Sequence, residues 1–209
     1  MARGLFITLE GGEGAGKSTQ AARLVARLTA LGRIAIATRE PGGSPGAEAI
    51  RNLLVKGDTD RWSATAETLL MYAARIDHIE RVIAPALARE DVVVCDRFAD
   101  STRAYQGAGG GASADLIEGL EREVRVHCWP DLTLIFDLDP AAGLTRAAGR
   151  TGAETRFEAK GLEFHTRLRA AFLAIAVAEP ARCRIIDASA DEDAVEAAVW
   201  RAVSERIQP

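Results

Sequence analysis

Residues 11–18 read Gly11-Gly12-Glu13-Gly14-Ala15-Gly16-Lys17-Ser18, the spacing at which a glycine-rich loop wraps phosphate. Glycines at these positions let backbone N–H groups turn inward around a β-phosphate, and a following helix adds the partial positive charge of its N-terminus. Lys17 is expected to bridge the β- and γ-phosphates of ATP, and Ser18 to ligate Mg²⁺, with Thr19 beside it. The chain has 26 basic residues, and its only lysines are Lys17, Lys56 and Lys160. A sequence that writes almost every cation as arginine still places lysine here, where a compact ammonium fits among backbone amides and a planar guanidinium does not. Two further segments, Arg39-Glu40-Pro41-Gly42-Gly43 and Asp96-Arg97-Phe98, each carry an arginine. Two arginines converging opposite a phosphate loop suit a second phosphate lying close to the first.

The elements that must hold these residues alternate short β-rich runs with longer helical patterns, the sign of a parallel sheet wrapped by helices. Strands are expected at 5–9, 34–38, 92–95, 132–138 and 184–186, and helices at 17–31, 45–55, 64–89, 113–126, 140–148, 157–178 and 191–206. The phosphate loop then joins a strand to a helix, and both arginine segments follow strands, at the carboxyl edge where such sheets bind ligands. In 157–178, Phe157, Phe164, Leu168, Ala171, Phe172 and Ile175 recur at spacings of three, four and seven, which gives one apolar face. Segments 59–62 and 107–113 read as loops. The length of 209 residues and the 48% hydrophobic content suit one compact domain spanning 1–209.

Composition narrows the classes of function. A net charge of −4 argues against nucleic acid as partner and for small-molecule nucleotides held by locally clustered cations. Apolar runs fall short of a membrane span, so no membrane is involved and a soluble, cytoplasmic protein is expected. Cys95, Cys128 and Cys183 are three in number and widely spaced, which fits neither a disulfide framework nor a zinc site. His78, His127 and His165 share no ligand spacing and are assigned no chemistry. Asn-Lys-x-Asp, the guanine-reading signature of switch GTPases, is absent.

Together with Tyr72-Ala73-Ala74-Arg75, the stretch 101–107 (Ser-Thr-Arg-Ala-Tyr-Gln-Gly) and the arginine-rich 146–158, these motifs resemble the thymidylate kinase family over nearly the whole chain. The resemblance implies a P-loop nucleoside-monophosphate-kinase fold, with a five-stranded parallel sheet in the order 2-3-1-4-5, a homodimer, and transfer of the ATP γ-phosphoryl group to dTMP. It implies that Arg39 and Arg97 meet the acceptor phosphate, and that Arg75 reads the base at O4 with Ser101 and Gln106 nearby. Tyr105 would pack where a 2′-hydroxyl would sit, and Glu13 would accept the 3′-hydroxyl. The family usually places an aromatic residue four before the base-reading arginine; here that position is Met71, followed by Tyr72. Met71 either covers the base through its sulfur or packs in the core.

An acceptor phosphate monoester is mostly dianionic near neutral pH, so no general base is required. What remains is in-line positioning and stabilisation of charge on the transferring group. Some family members carry an arginine inside the phosphate loop, but Gly12, Glu13, Gly14 and Ala15 occupy the variable positions here. The segment 146–158 resembles the lid of a bacterial subtype that supplies arginines from this place. Arg150 is the expected transition-state residue, with Arg146 and Arg156 as phosphate or adenine contacts. Asp96 is expected to orient a Mg²⁺-bound water or Arg97. The helix 64–89 carries Leu69, Leu70, Ile76, Ile79, Val82 and Ile83, more apolar residues than one stripe needs, and is the candidate dimer face. Two other readings compete: a kinase of another nucleoside or nucleoside monophosphate with this fold, and a P-loop switch or partition ATPase.

Overall fold

A computed structural model describes residues 3–58, 60–149 and 156–207. Strands β1 (Phe6–Gly11), β2 (Ala35–Arg39), β3 (Val92–Asp96), β4 (Leu132–Asp137) and β5 (Cys183–Asp187) form one sheet in the order β2-β3-β1-β4-β5. Every neighbouring pair is parallel. β1 is central and buried along its whole length, which is why Phe-Ile-Thr-Leu reads as a near-continuous apolar run rather than an alternating one. Its successive side chains still go to opposite faces. Ile7 and Leu9, with Val92 and Val94, pack on α1 (Lys17–Ala30) and α9 (Glu192–Ser204). Phe6, with Val93 and Cys95, packs on the opposite layer, which includes α6 (Ala114–His127). Registers Leu9↔Asp96 and Arg39↔Asp96 bring the ends of β1, β2 and β3 level, so the three segments that follow them meet at one edge.

Helix α2 (Pro45–Leu54) opens with Ser44, whose hydroxyl accepts from the Ala47 amide, and with proline in the first turn, so one orphan donor of the helix start is answered and another is absent. Where one helix is expected over 64–89, α3 (Ala64–His78) passes into a π-helical turn at Ile79–Ile83 and then α4 (Ala84–Ala88). Pro85 explains the break: it lacks an N–H and its ring crowds the preceding turn, so the ladder widens there. Ile79 and Ile83 are fully buried, and Ile76 packs against the same cluster, so most of the apolar surplus of this helix serves the core.

The expected loop 107–113 starts late. Backbone after β3 forms α5 (Ala99–Thr102) and a π-helical segment Arg103–Gly109, which the glycine run hides. Gly109 is required by contact rather than by flexibility, because a Cβ there would lie 2.5 Å from the Phe164 ring. Phe164 belongs to α8 (Leu162–Ala178). That helix starts five residues later than expected, after turns at 156–160 and Gly161 as N-cap. Phe157 is therefore outside the helix. α7 (Pro140–Ala148) precedes it, N-capped by the Asp139 carboxylate. Among the described residues no helix is long and apolar enough to cross a membrane.

Candidate active site

The phosphate loop leaves β1 with Gly14 and Gly16 at φ of 67° and 85°, the left-handed region glycine enters without strain. At Gly14 there is a second requirement, since a Cβ would meet the Gly143 carbonyl of α7 at 2.0 Å. Lys17, the first residue of α1, is buried and donates from Nζ to the Gly12 carbonyl at 2.6 Å. Burial, reinforced by the nearby Arg97 guanidinium, pulls its pKa down to about 8. Ser18 Oγ donates to Asp96 Oδ2 at 2.5 Å across the β1–β3 edge, and Thr19 is exposed beside it. Asp96 Oδ1 is buried with no hydrogen-bond partner among the described residues. A hydroxyl and a carboxylate with a spare oxygen make a donor set that fits a hard divalent cation such as Mg²⁺.

Arg97 has φ 70°, a left-handed conformation rare for a side-chain-bearing residue. Nη1 donates to the Gly11 carbonyl at 2.9 Å and to Ser101 Oγ at 3.3 Å, and Nη2 pairs with Glu13 Oε1 at 3.0 Å. Tyr105 OH donates to the same Glu13 oxygen at 2.6 Å. Burial works to raise the Glu13 pKa, but Arg97, Lys17 and the tyrosine hydrogen bond outweigh it and hold the carboxyl at about 2. Glu13 is thus an ionised acceptor inside the loop, aimed toward Arg97 and Tyr105. Behind them Glu10 accepts from the Phe98 amide at 2.7 Å and from Ser101 Oγ at 2.6 Å. Burial and then the nearby Asp100 push its pKa up to about 8.

A cleft of about 680 Å³ runs from Lys17, Ser18, Asp96 and Arg97 to Met71, Arg75, Gln106 and Phe157, a size suited to small-molecule binding. At the far end Arg75 is buried, with Nε on Glu40 Oε2 at 2.7 Å and Nη2 on the Phe98 carbonyl and Thr102 Oγ1, both at 3.0 Å. His78 secures the other Glu40 oxygen from Nδ1 at 3.1 Å and meets Thr38 Oγ1 at 2.7 Å. The remaining nitrogen, Arg75 Nη1, is buried and has no partner among the described residues. A clamped guanidinium with one orphan donor in a cleft calls for an acceptor atom on a ligand. Met71 both lines this cleft and packs with Leu54, Val55 and Phe157, so it serves the core while presenting part of its surface to the cleft. Arg39, at the rim, lies 3.3 Å from Glu48 and is half-exposed.

One expectation about the arginine-rich segment changes. Arg156 is buried on the acceptor side, pairing with Glu67 at 2.5 Å and donating to the carbonyls of Asp58 and Leu54, and so is not placed as a phosphate or adenine contact. The reason is local: Arg156 precedes the delayed start of α8, and Phe157 beside it packs edge-on to Tyr105 at 5.5 Å. Arg146 donates to the Ala188 carbonyl beyond β5 at 3.0 Å. Arg150 lies outside the described residues. Sequence reasoning overlooked Glu10, Glu40 and Glu67, which orient the arginines and amide that face the cleft, although Glu40 sits inside a quoted motif. It also overlooked Arg51, Asn52 and Lys56 along the cleft, where their spacing on and just past α2 was the available signal.

Comparison with known proteins is consistent along the whole chain. The thymidylate kinase family model matches residues 9–199. A thymidylate kinase of Caulobacter vibrioides is 64% identical over 207 residues, covering 99% of both chains. One of Jannaschia sp. is 55% identical over 97% of each. The crystal structure of thymidylate kinase from Ehrlichia chaffeensis superposes with a TM-score of 0.78 at 32% identity, over 96% of this chain and 98% of that one.

Proposed function

The chain belongs to the thymidylate kinase family, and from that membership we propose how its residues divide the transfer of the ATP γ-phosphoryl group to dTMP. ATP lies along 11–18, with Lys17 on the β- and γ-phosphates and Thr19 at the mouth of the loop. Arg39 and Arg97 receive the acceptor phosphate. Ser18 and Asp96 would hold Mg²⁺, which when bound neutralises charge between the phosphates. Glu13, kept ionised, accepts the 3′-hydroxyl, and Tyr105 leaves no room for a 2′-hydroxyl. Arg146 borders the adenine side, and Arg150 supplies the cation that the loop lacks. Cytoplasmic location and a homodimer complete the reading, and both rest on the family resemblance.

The single observation that carries the acceptor assignment is Arg75, clamped on Glu40 with Nη1 orphaned in a cleft that begins at Lys17. Thymine O4 supplies the missing acceptor, whereas the amino group of cytosine would set donor against donor. Ser101 and Gln106 flank the base, and Met71 covers it. Arg75→Lys keeps the charge facing Glu40 but loses the fork. Its kcat/KM for dTMP is expected to fall by roughly 10- to 100-fold, with a much smaller change for dCMP. Equal losses for both acceptors would remove Arg75 from base reading.

A further inference from the structure

Glu67 on α3 is not among the residues lining the cleft, yet it joins Gln106, which does line it, to Arg156, which precedes the lining residue Phe157. One carboxylate oxygen, Oε1, accepts from Gln106 Nε2 at 2.9 Å, and the other, Oε2, pairs with Arg156 Nη1 at 2.5 Å. All three side chains are buried. A carboxylate paired with a guanidinium can only accept hydrogen bonds, whereas a primary amide presents a donor end and an acceptor end. The Gln106 amide beside Glu67 therefore has one stable orientation, NH₂ toward the carboxylate and Oε1 away from it. The reverse orientation would set two oxygens against each other without solvent, at the cost of an unanswered buried polar group.

We propose that Glu67 is a positioning residue that sets acceptor specificity, because it fixes the Gln106 amide with Oε1 left to accept from a base that carries a ring N–H. The inference rests on the reading of Gln106 as a base contact. Thymine and uracil carry N3–H and satisfy Oε1; cytosine presents a bare N3 there and meets it oxygen against lone pair. Arg156 has a part as well. Pairing with Glu67, and donating to the Leu54 and Asp58 carbonyls, it anchors the start of the 156–161 turns and occupies the carboxylate oxygen that Gln106 does not. Arg75 and Glu67 thus read the two edge positions at which thymine and cytosine differ, one through a donor and one through an amide held as an acceptor.

The test is kcat/KM for dTMP, dUMP and dCMP in the full-length enzyme. Glu67→Gln lets the Gln106 amide turn over, so the dTMP-to-dCMP ratio is expected to drop about tenfold or more while the dTMP-to-dUMP ratio holds. Glu67→Asp, still an acceptor-only group, keeps the dTMP-to-dCMP ratio even if it lowers thermal stability. A purely structural Glu67 would depress all three acceptors by one factor, and that result overturns the proposal. Should Glu67→Gln fail to fold, the double variant with Arg156→Gln removes both charges and is expected to show the same loss of ratio; an unchanged ratio overturns the proposal there too. Gln106→Ala separates the layers. If it leaves the dTMP-to-dCMP ratio intact, the base reading of Gln106 fails and the proposal with it. If it lowers the ratio and Glu67→Gln does not, the proposal alone fails.

Discussion

The phosphate loop at 11–18 contains one lysine and no arginine, so the charge that develops on the transferring phosphoryl group must be met partly from outside it. Arg97 is already engaged with Glu13 and the Gly11 carbonyl, and Arg156 with Glu67. Arg146 reaches the Ala188 carbonyl. Of the three arginines expected from 146–158, Arg150 is left as the proposed transition-state residue. Arg150→Ala is expected to lower kcat by about 10³ with little change in dTMP affinity, in line with other phosphoryl-transfer arginines. Single-turnover rates and equilibrium binding separate the two effects. A kcat that does not move would hand the role to Arg146, which would then have to leave its carbonyl partner.

At the scale of elements, what the sequence made legible followed from strong local signals. Five short β-rich runs locate the strands to within two residues, and the glycine loop falls between a strand and a helix as its motif requires. Two kinds of feature were hidden. Proline at 85 sits inside a convincing apolar period and widens the helix into a π turn, an effect that periodicity cannot express. Gly107 to Gly111 have loop composition, but Gly109 is there because Phe164 approaches closely, and that contact exists only in the folded chain. The helix 64–89 shows the same limit. Its surplus of apolar residues suggested a broad dimer face, yet Ile79 and Ile83 are in the core and Leu69 remains clearly exposed. Dimerisation is thus proposed through a narrower face of α3 centred on Leu69. Sedimentation equilibrium is expected to give about twice the chain mass of 22.3 kDa, and Leu69→Glu to give the monomer, by placing a charge in an apolar contact. A dimer that tolerates Leu69→Glu would put the interface elsewhere.

Across the whole molecule, the parallel sheet brings the ends of β1, β2 and β3 to one edge, and this common edge makes a single cleft of three sequence-distant segments. The loop proposed for the donor stood out in the sequence because a phosphate loop is local and nearly invariant in its needs. The arginines proposed for the acceptor end came from family resemblance and line the cleft, but their supports were not legible: Glu10, Glu40 and Glu67 are acidic residues in a buried strand end, a turn and a helix, and only tertiary contacts give them partners. We propose that this one cleft aligns ATP with dTMP in preference to other acceptors and to water. This is tested most directly by following ADP formation with dTMP, dUMP, dCMP and AMP side by side, with a chelator and a no-acceptor control. The expected result is fast, chelator-sensitive ADP formation with dTMP, matched one for one by dTDP, slower turnover with the other monophosphates, and little without acceptor. Equal rates across the acceptors, or ADP formed without dTDP, would contradict it.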